Sequence, residues 1–266
     1  MRIATWNVNS VRTRLVRLLD WLRLRQPDVL CLQELKVEDG GFPHAEVQEL
    51  GYRAVTHGQK TYNGVAIVTK AEVRDVRRGM DDGVEDDQAR LIAATVGGLR
   101  VVSAYFPNGQ EPDSDKYRYK LLWLARLRAW LAQEMASGLP LALCGDFNVA
   151  TDDRDVANPE RWEGGVLYND EVRLELEKLR GLGLVDALRL KEKAGGIYSW
   201  WDYRNLGFPK NDGLRIDYVY LSKALGPRVS AASVDRDQRK PSACPEGTKP
   251  SDHAPVLVEV ELGPGA

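Results

Sequence analysis

Apolar residues run along this chain in two rhythms. The slower one is helical. Val11, Leu15, Leu18, Leu19 and Leu22 share one face and predict a helix over Val11 to Gln26, with Ser10 as its N-cap and Pro27 just past its end. Tyr117, Leu121, Leu124, Leu127, Leu131 and Met135 predict a second from about Asp115 to Met135. Val172, Leu176 and Leu179 predict a third over Glu171 to Arg180, with Gly181 behind it. The faster rhythm belongs to strands. Leu91 to Val96, Gly97-Gly98 and Leu99 to Tyr105 read as a hairpin on a two-glycine turn. Val65 to Thr69, Tyr198 to Asp202, Leu214 to Leu221 and Ala254 to Glu261 read as further strands. Hairpins interleaved with helices imply an α/β fold with mixed rather than purely parallel sheets. No proline- or glycine-rich linker divides the chain, and Asp235 to Lys249 reads as a polar loop, so residues 1–266 are expected to form a single domain.

Polar residues collect where the strand rhythm stops. Ile3-Ala4-Thr5-Trp6 leads into Asn7, Val29-Leu30-Cys31-Leu32 into Gln33-Glu34, and Leu139 to Cys144 into Gly145-Asp146-Phe147-Asn148. Ser251-Asp252-His253 stands just before the run Ala254 to Val260. Buried strands need apolar residues along their length, but their ends emerge at a rim where polar groups can face solvent. Carboxylates, amides and one histidine at a common rim would suit a hard cation and an oxyanion.

Composition narrows the setting without choosing a substrate. Hydrophobic residues make up 43% and charged residues 29%, enough to build a core. No apolar run approaches the ~18 residues that would suggest a membrane span. The opening Met1-Arg2-Ile3-Ala4-Thr5-Trp6 is strand-like rather than a leader, and three cysteines make no disulfide framework, so a reducing cytoplasm is expected. Cys31 and Cys144 fall in apolar runs as small core residues; Cys244 reads as a loop thiol. A net charge of -2 gives no global sign of nucleic-acid binding, although a metal site's local negative charge would mask a basic surface. The arginines at 12, 14, 17, 23 and 25 and the run Arg236 to Lys240 could supply one; most read as a solvated helix face and a polar loop.

Several residues carry specific chemistry. Asp146 and Asn148 should share one side of an emerging strand end, where a carboxylate can polarise a water and an amide can donate to a phosphate oxygen; a simple turn is the competing reading. Asp217 lies inside the alternating strand Leu214 to Tyr220, a costly place for a charge without a partner. Asp252-His253 is adjacent to the natural partner: a histidine bonded to a carboxylate keeps one tautomer and stays protonated near neutrality. His44 and His57 sit in ordinary polar contexts and read as surface residues. Glu34 can ligate a metal, and Asn7 and Asn9 can orient a ligand or bind phosphate. An all-oxygen donor set suits Mg²⁺ or Mn²⁺ and is poor for zinc.

In order along the chain, Trp6-Asn7-Val8-Asn9-Ser10, Leu32-Gln33-Glu34, Gln59-Lys60-Thr61-Tyr62-Asn63-Gly64-Val65-Ala66, Tyr105-Phe106-Pro107-Asn108-Gly109, Gly145-Asp146-Phe147-Asn148, Leu214-Arg215-Ile216-Asp217-Tyr218 and Ser251-Asp252-His253-Ala254-Pro255 resemble the exonuclease III family of abasic-site endonucleases. That family belongs to the endonuclease/exonuclease/phosphatase superfamily, which includes deoxyribonuclease I. The resemblance implies a four-layered α/β sandwich, two mixed β-sheets packed face to face with helices outside. It implies a metal-dependent phosphodiesterase that cuts double-stranded DNA 5′ to an abasic site and leaves a 3′-hydroxyl, with some 3′-5′ exonuclease and 3′-phosphodiesterase activity, acting as a monomer. Glu34 would be the principal metal ligand, assisted by Asn7 and Asn9, with Asp252 supporting the site. Asp146 would activate the water and Asn148 position it. His253, paired with Asp217, would neutralise the phosphate, and Tyr105 would contact it. Trp200, Leu214 and Ile216 would wall a pocket for a flipped, baseless sugar, and Asn108 would also contact the DNA or its lesion; core packing is the alternative for Trp200 and Trp201. Asn9 stands where some relatives carry aspartate, Pro241 to Thr248 is longer than usual for the family, and residues 158–170 form another loop near the expected site that could shift the balance between endonuclease and exonuclease.

Two other readings compete. A phosphoesterase of the same superfamily acting on RNA or phosphate esters is disfavoured by the Trp200 segment. A non-catalytic nucleic-acid-binding regulator would be expected to lack the carboxylates Glu34, Asp146, Asp217 and Asp252, all present here.

Overall fold

The computed structural model describes residues 1–204, 206–243 and 247–263, so Cys244 and the middle of the Pro241 to Thr248 segment lie outside the described residues. Twelve strands form among them. One sheet contains β1 (Arg2–Asn7), β2 (Val29–Gln33), β3 (Arg53–His57), β4 (Val65–Thr69), β11 (Val229–Val234) and β12 (Val256–Val260) in the order β11-β12-β1-β2-β4-β3. The other contains β5 (Val73–Arg78), β6 (Leu91–Val96), β7 (Leu99–Tyr105), β8 (Leu141–Asp146), β9 (Leu184–Asp186) and β10 (Asp217–Ser222) in the order β5-β6-β7-β8-β10-β9. Both sheets follow one plan: a parallel central pair, β1–β2 or β7–β8, flanked by antiparallel neighbours. The helices are α1 (Leu15–Arg25), α2 (His44–Glu49), α3 (Asp115–Met135), α4 (Pro159–Trp162), α5 (Asp170–Arg180), α6 (Ala187–Lys191) and α7 (Gly207–Lys210).

Strand alternation builds the layers. Ile3, Val29, Cys31 and Ile67 of one sheet meet Ile92, Val101, Cys144 and Val219 of the other in a central core. Their sequence neighbours Ala4, Trp6, Leu30 and Val68 face outward onto Leu18, Trp21 and Leu22 of α1. On the opposite side Val102, Ala104 and Leu143 pack against Trp123, Leu124 and Leu127 of α3 and Leu176 and Leu179 of α5. Helix, sheet, sheet, helix is therefore the four-layered mixed sandwich expected. Near one end a buried polar link joins the sheets: Gln33 exchanges hydrogen bonds with Thr5 and donates to Ser103 Oγ at 3.2 Å.

The α3 bounds and the hairpin bounds match the sequence reading. Elsewhere the structure corrects it. The first helix starts at Leu15, because Asn9 and Ser10 take left-handed φ of 45° and 87° and the backbone N–H groups of Ser10 and Val11 bind the carbonyls of Glu34 and Leu35. Tyr198 to Asp202 forms no strand; Trp200 makes only isolated bridges, to Leu214 and His253, so this segment spans two elements instead of extending one. Leu214 and Ile216 precede β10 rather than lie in it.

The predicted solvated arginine face is overturned at two positions. Arg17 is fully buried and donates to the carbonyls of Gln238, Lys240 and Pro241, while Arg14 donates to Asn9 O, Pro250 O and Tyr203 Oη. The two guanidinia thus satisfy carbonyls of residues 238, 240, 241 and 250, none of which lies in a strand. Gln238 and Arg239 of the supposed polar loop are likewise buried. His44 is exposed, but His57 is half-buried, its Nδ1 lying 3.0 Å from Leu91 O.

Candidate active site

One rim of the sandwich collects the ends of β1, β2, β7, β8 and β10 with the residues just before β12. Three neighbouring strands set its floor. Tyr105 pairs in register with Asp146, and Asp146 with Asp217, so the three side chains stand in a row across β7, β8 and β10. Gly145 allows the strands to meet there: a Cβ on it would lie 1.8 Å from Ala104 O.

Two carboxylates directly opposite one another repel, and His253 resolves that repulsion. Its Nδ1 lies 2.9 Å from Asp217 Oδ2 and its Nε2 3.7 Å from Asp146 Oδ2. Burial alone would drive the imidazolium pKa down, but the Asp217 and Asp146 carboxylates outweigh it and raise it to about 10. Burial first, and then the Asp217 charge, push the Asp146 carboxyl up to about 7 against the pull of His253 and the Asn7 amide. Asp217 is itself fixed by Ser199, whose hydroxyl donates to Oδ2 at 2.6 Å and accepts the Ile216 and Asp217 N–H groups.

The other sheet adds amides and a third carboxylate. The Asn7 amide donates to Glu34 Oε1 at 2.8 Å and to Asp146 Oδ2 at 2.9 Å, bridging the two sheets. Glu34, at φ 52°, turns out of β2 and also accepts from Tyr105 Oη at 3.0 Å. Desolvation and the nearby Glu34 and Asp146 charges raise the Tyr105 pKa well above its usual value, so the phenol stays a donor. Lys36 sits 2.9 Å from Glu34 Oε2 and donates to Asn9 Oδ1. Ligand-type atoms of Glu34, Asp146 and His253 come within 4.8 Å of one another; with the His253 ring protonated and lacking a free lone pair, the Glu34 and Asp146 carboxylates are the donors that can hold a metal ion. With the Asn7 amide alongside, these oxygen donors suit a hard cation.

The remaining predicted residues flank this centre. Asp252 accepts from Asn9 Nδ2 at 2.9 Å and from Trp200 Nε1 at 3.1 Å, forming a wing beside the Glu34 cluster. Burial would raise the Asp252 carboxyl, but His253 and these two donors hold it below the usual range. Trp200 is half-buried and meets Trp162 edge-on at 5.9 Å, whereas Leu214 and Ile216 are only 0% and 2% exposed beneath it. On the far side Asn108 donates to Asn148 Oδ1 at 3.1 Å, and Asn148 Nδ2 donates to Phe106 O. At φ 49° the Asn148 backbone N–H donates to Asp146 Oδ1 at 2.9 Å, which ties this amide pair to the aspartate through the main chain.

The sequence matches the endonuclease/exonuclease/phosphatase family over residues 4–253. The chain belongs to that family. It is 36% identical to exodeoxyribonuclease III of Haemophilus influenzae, covering 97% of this chain and 99% of that one. Among solved structures, a 3′-5′ exonuclease (NExo) from Neisseria meningitidis superposes with a TM-score of 0.93 at 41% identity, covering 98% of this chain and 100% of that one. The same Neisseria protein, titled a 3′ phosphatase, is also known bound to a product DNA hairpin. An AP endonuclease from Archaeoglobus fulgidus superposes with a TM-score of 0.90 at 38% identity, covering 98% and 100%. The chain is thus a nuclease-type hydrolase of this family.

Spacing did not single out every residue at the site. Ser199 lies in the Tyr198 segment, and the argument that found Asp217, a polar residue in an apolar stretch, applies to it equally. Lys36 and Ser251, whose hydroxyl donates to Asn7 O at 2.7 Å, carried no signal beyond proximity to a motif.

Proposed function

We propose that this chain is a metal-dependent DNA-repair phosphodiesterase that cuts double-stranded DNA 5′ to an abasic site, leaves a 3′-hydroxyl, and also removes groups or nucleotides from 3′ ends. The observation carrying this reading is the convergence of Asp146, the His253–Asp217 pair and Glu34 at one point between the sheets. Hydrolysis of a phosphodiester requires an activated water, neutralised non-bridging oxygens and a stabilised leaving alkoxide.

Asp146 takes the proton from the attacking water, for which a carboxyl pKa of about 7 is well matched near neutrality. Asn148, whose backbone N–H holds Asp146 Oδ1, positions that water, and the His253 imidazolium offers its Nε2 proton to a phosphate oxygen while Asp217 holds the ring. Tyr105 donates to the same phosphate. Glu34, assisted by Asn7, would hold Mg²⁺ or Mn²⁺, with Asn9 and Asp252 supporting the site from its edge. When bound, the cation supplies charge neutralisation for the phosphate and the leaving oxygen. Trp200 lines the side where a baseless sugar would enter, over Leu214 and Ile216, and Asn108 faces the DNA on the opposite flank. The chain would act as a monomer in the cytoplasm.

A second reading, in which 3′-end processing outweighs internal incision, is favoured by the scant surface that Leu214 and Ile216 offer a flipped sugar. One experiment separates the two. Duplexes carrying a single abasic analogue, a 3′-phosphate or no lesion are incubated with Mg²⁺, Mn²⁺ or EDTA. Metal-dependent incision at the lesion supports the first reading, and 3′ processing without incision the second. No cleavage with any metal sinks both and points to another phosphoester substrate.

A further inference from the structure

Lys120 is a fully buried cation on the apolar face of α3, one turn beyond Tyr117 and one before Leu124. Its Nζ donates to three backbone carbonyls: Asn108 O at 3.1 Å, Asn148 O at 2.8 Å and Val166 O at 2.6 Å. These carbonyls come from the segments after β7, after β8 and before α5. A lysine ammonium has three N–H donors, so all three are matched. The stem is tightly enclosed: a Cβ on Gly109, at φ 96°, would lie 3.2 Å from Lys120 Cδ and 3.3 Å from Val166 Cβ.

The arrangement is costly as a stability device. Among the described residues no carboxylate pairs with the ammonium, and burial drives its pKa down to about 7 despite the attraction of Asp146. An apolar side chain of similar reach would avoid the charge penalty but would leave the three carbonyls without this donor, so what the ammonium adds is the gathering of those carbonyls. The ammonium meets the backbone of the same two residues whose side chains are joined by the Asn108–Asn148 bond.

We propose that Lys120 is a positioning residue that sets the Asn108–Asn148 amide pair, tied to Asp146 through the Asn148 backbone N–H, by gathering the carbonyls of three loop segments. It acts on the phosphodiester chemistry proposed above without touching substrate. A misplacement of the order of 1 Å at such a pair can cost about 100-fold in rate.

The test is a double-mutant cycle of Lys120→Met with Asn148→Ala, read on both abasic and 3′-phosphate duplexes with the intact chain. Lys120→Met alone should lower kcat by about 10- to 100-fold with KM changed by less than about threefold. In the Asn148→Ala background the same substitution should cost less than about threefold, since the amide it positions is gone. An equal loss in both backgrounds, or an unchanged kcat in the single variant, overturns the proposal. If Lys120→Met does not fold, Lys120→Gln, which keeps two N–H donors, takes its place in the cycle. A crystal structure of the folded variant gives a readout independent of substrate: the Asn108–Asn148 bond should be lost, and an unmoved pair overturns the proposal even if the chain cuts neither duplex. Wild-type chain that cuts only the 3′-phosphate duplex refutes the abasic-site reading and leaves the Lys120 cycle intact.

Discussion

The two sheets follow the same strand plan yet bring residues to the rim by different means. In the sheet built around β8, Tyr105, Asp146 and Asp217 are strand-terminal residues locked in register, so the hydrogen-bond ladder itself sets their spacing. In the sheet built around β1, only Asn7 is a strand residue; Glu34, Asn9 and His253 lie just beyond strands, two of them at φ 52° and 45°. A ladder cannot relax without breaking pairs, which suits groups that must face one phosphate at fixed distances. It also forces two aspartates side by side. Residues past a strand end can shift by a small backbone rotation, which suits ligands that close around a cation. On the proposed roles, the first sheet therefore holds most of the bond-breaking groups, and the second most of those that would answer to a metal.

Four substitutions test that division, in descending order of effect. Asp146→Asn keeps the shape of the ladder and removes the base, so single-turnover incision should fall by about 10³-fold or more while DNA affinity stays near wild type. Near-normal cleavage by this variant would sink the assignment. Asp217→Asn should cost about 100-fold and change the pH profile. His253 is active when protonated, and its raised pKa of about 10 keeps it so through neutrality; without the Asp217 charge that pKa falls, so the alkaline limb of kcat should move to lower pH. A limb that stays put would show that another group sets it. In the other sheet Glu34→Gln should act through the metal, raising the concentration needed for half-maximal rate by about 10- to 100-fold, with partial recovery at saturating Mn²⁺. A loss that no metal concentration restores would place Glu34 with the bond-breaking groups and erase the contrast. Trp200→Ala should be mildest, about tenfold in kcat/KM on abasic duplex and little on a 3′-phosphate. An unchanged abasic efficiency would rule out the sugar-pocket role.

The same contrast governs how much of the site was legible in the sequence. Asp146 and Asp217 could be found because a carboxylate at the end of an apolar run, or inside an alternating one, conflicts with its surroundings. Layer order was legible only through the family resemblance; the alternation that sends Ile3 inward and Trp6 outward is its physical basis in the structure. Lys120 escaped notice because a lysine on a helix face reads the same whether its ammonium snorkels to water or turns inward to carbonyls. Arg17 was misread for the same reason, since its partners lie more than 200 residues away on a segment with no periodic pattern of its own. Leu214 and Ile216 were assigned to the strand proper because the alternation runs straight through them; the bridge to Trp200 that diverts them depends on tertiary pairing alone.

His253 has a second role that follows from where it is anchored. It stands just before β12 of one sheet and binds Asp217 at the start of β10 of the other, so its proton is also a fastening between the two halves of the sandwich. Because its pKa is higher in the folded chain than the ordinary 6.5, the stability this contact contributes is fully present below that value and drains away as pH rises through about 10. Alkali would then release two facing aspartates into mutual repulsion at the moment the phosphate loses its imidazolium. The group proposed to limit catalysis at high pH would thus also limit the cohesion of the fold there.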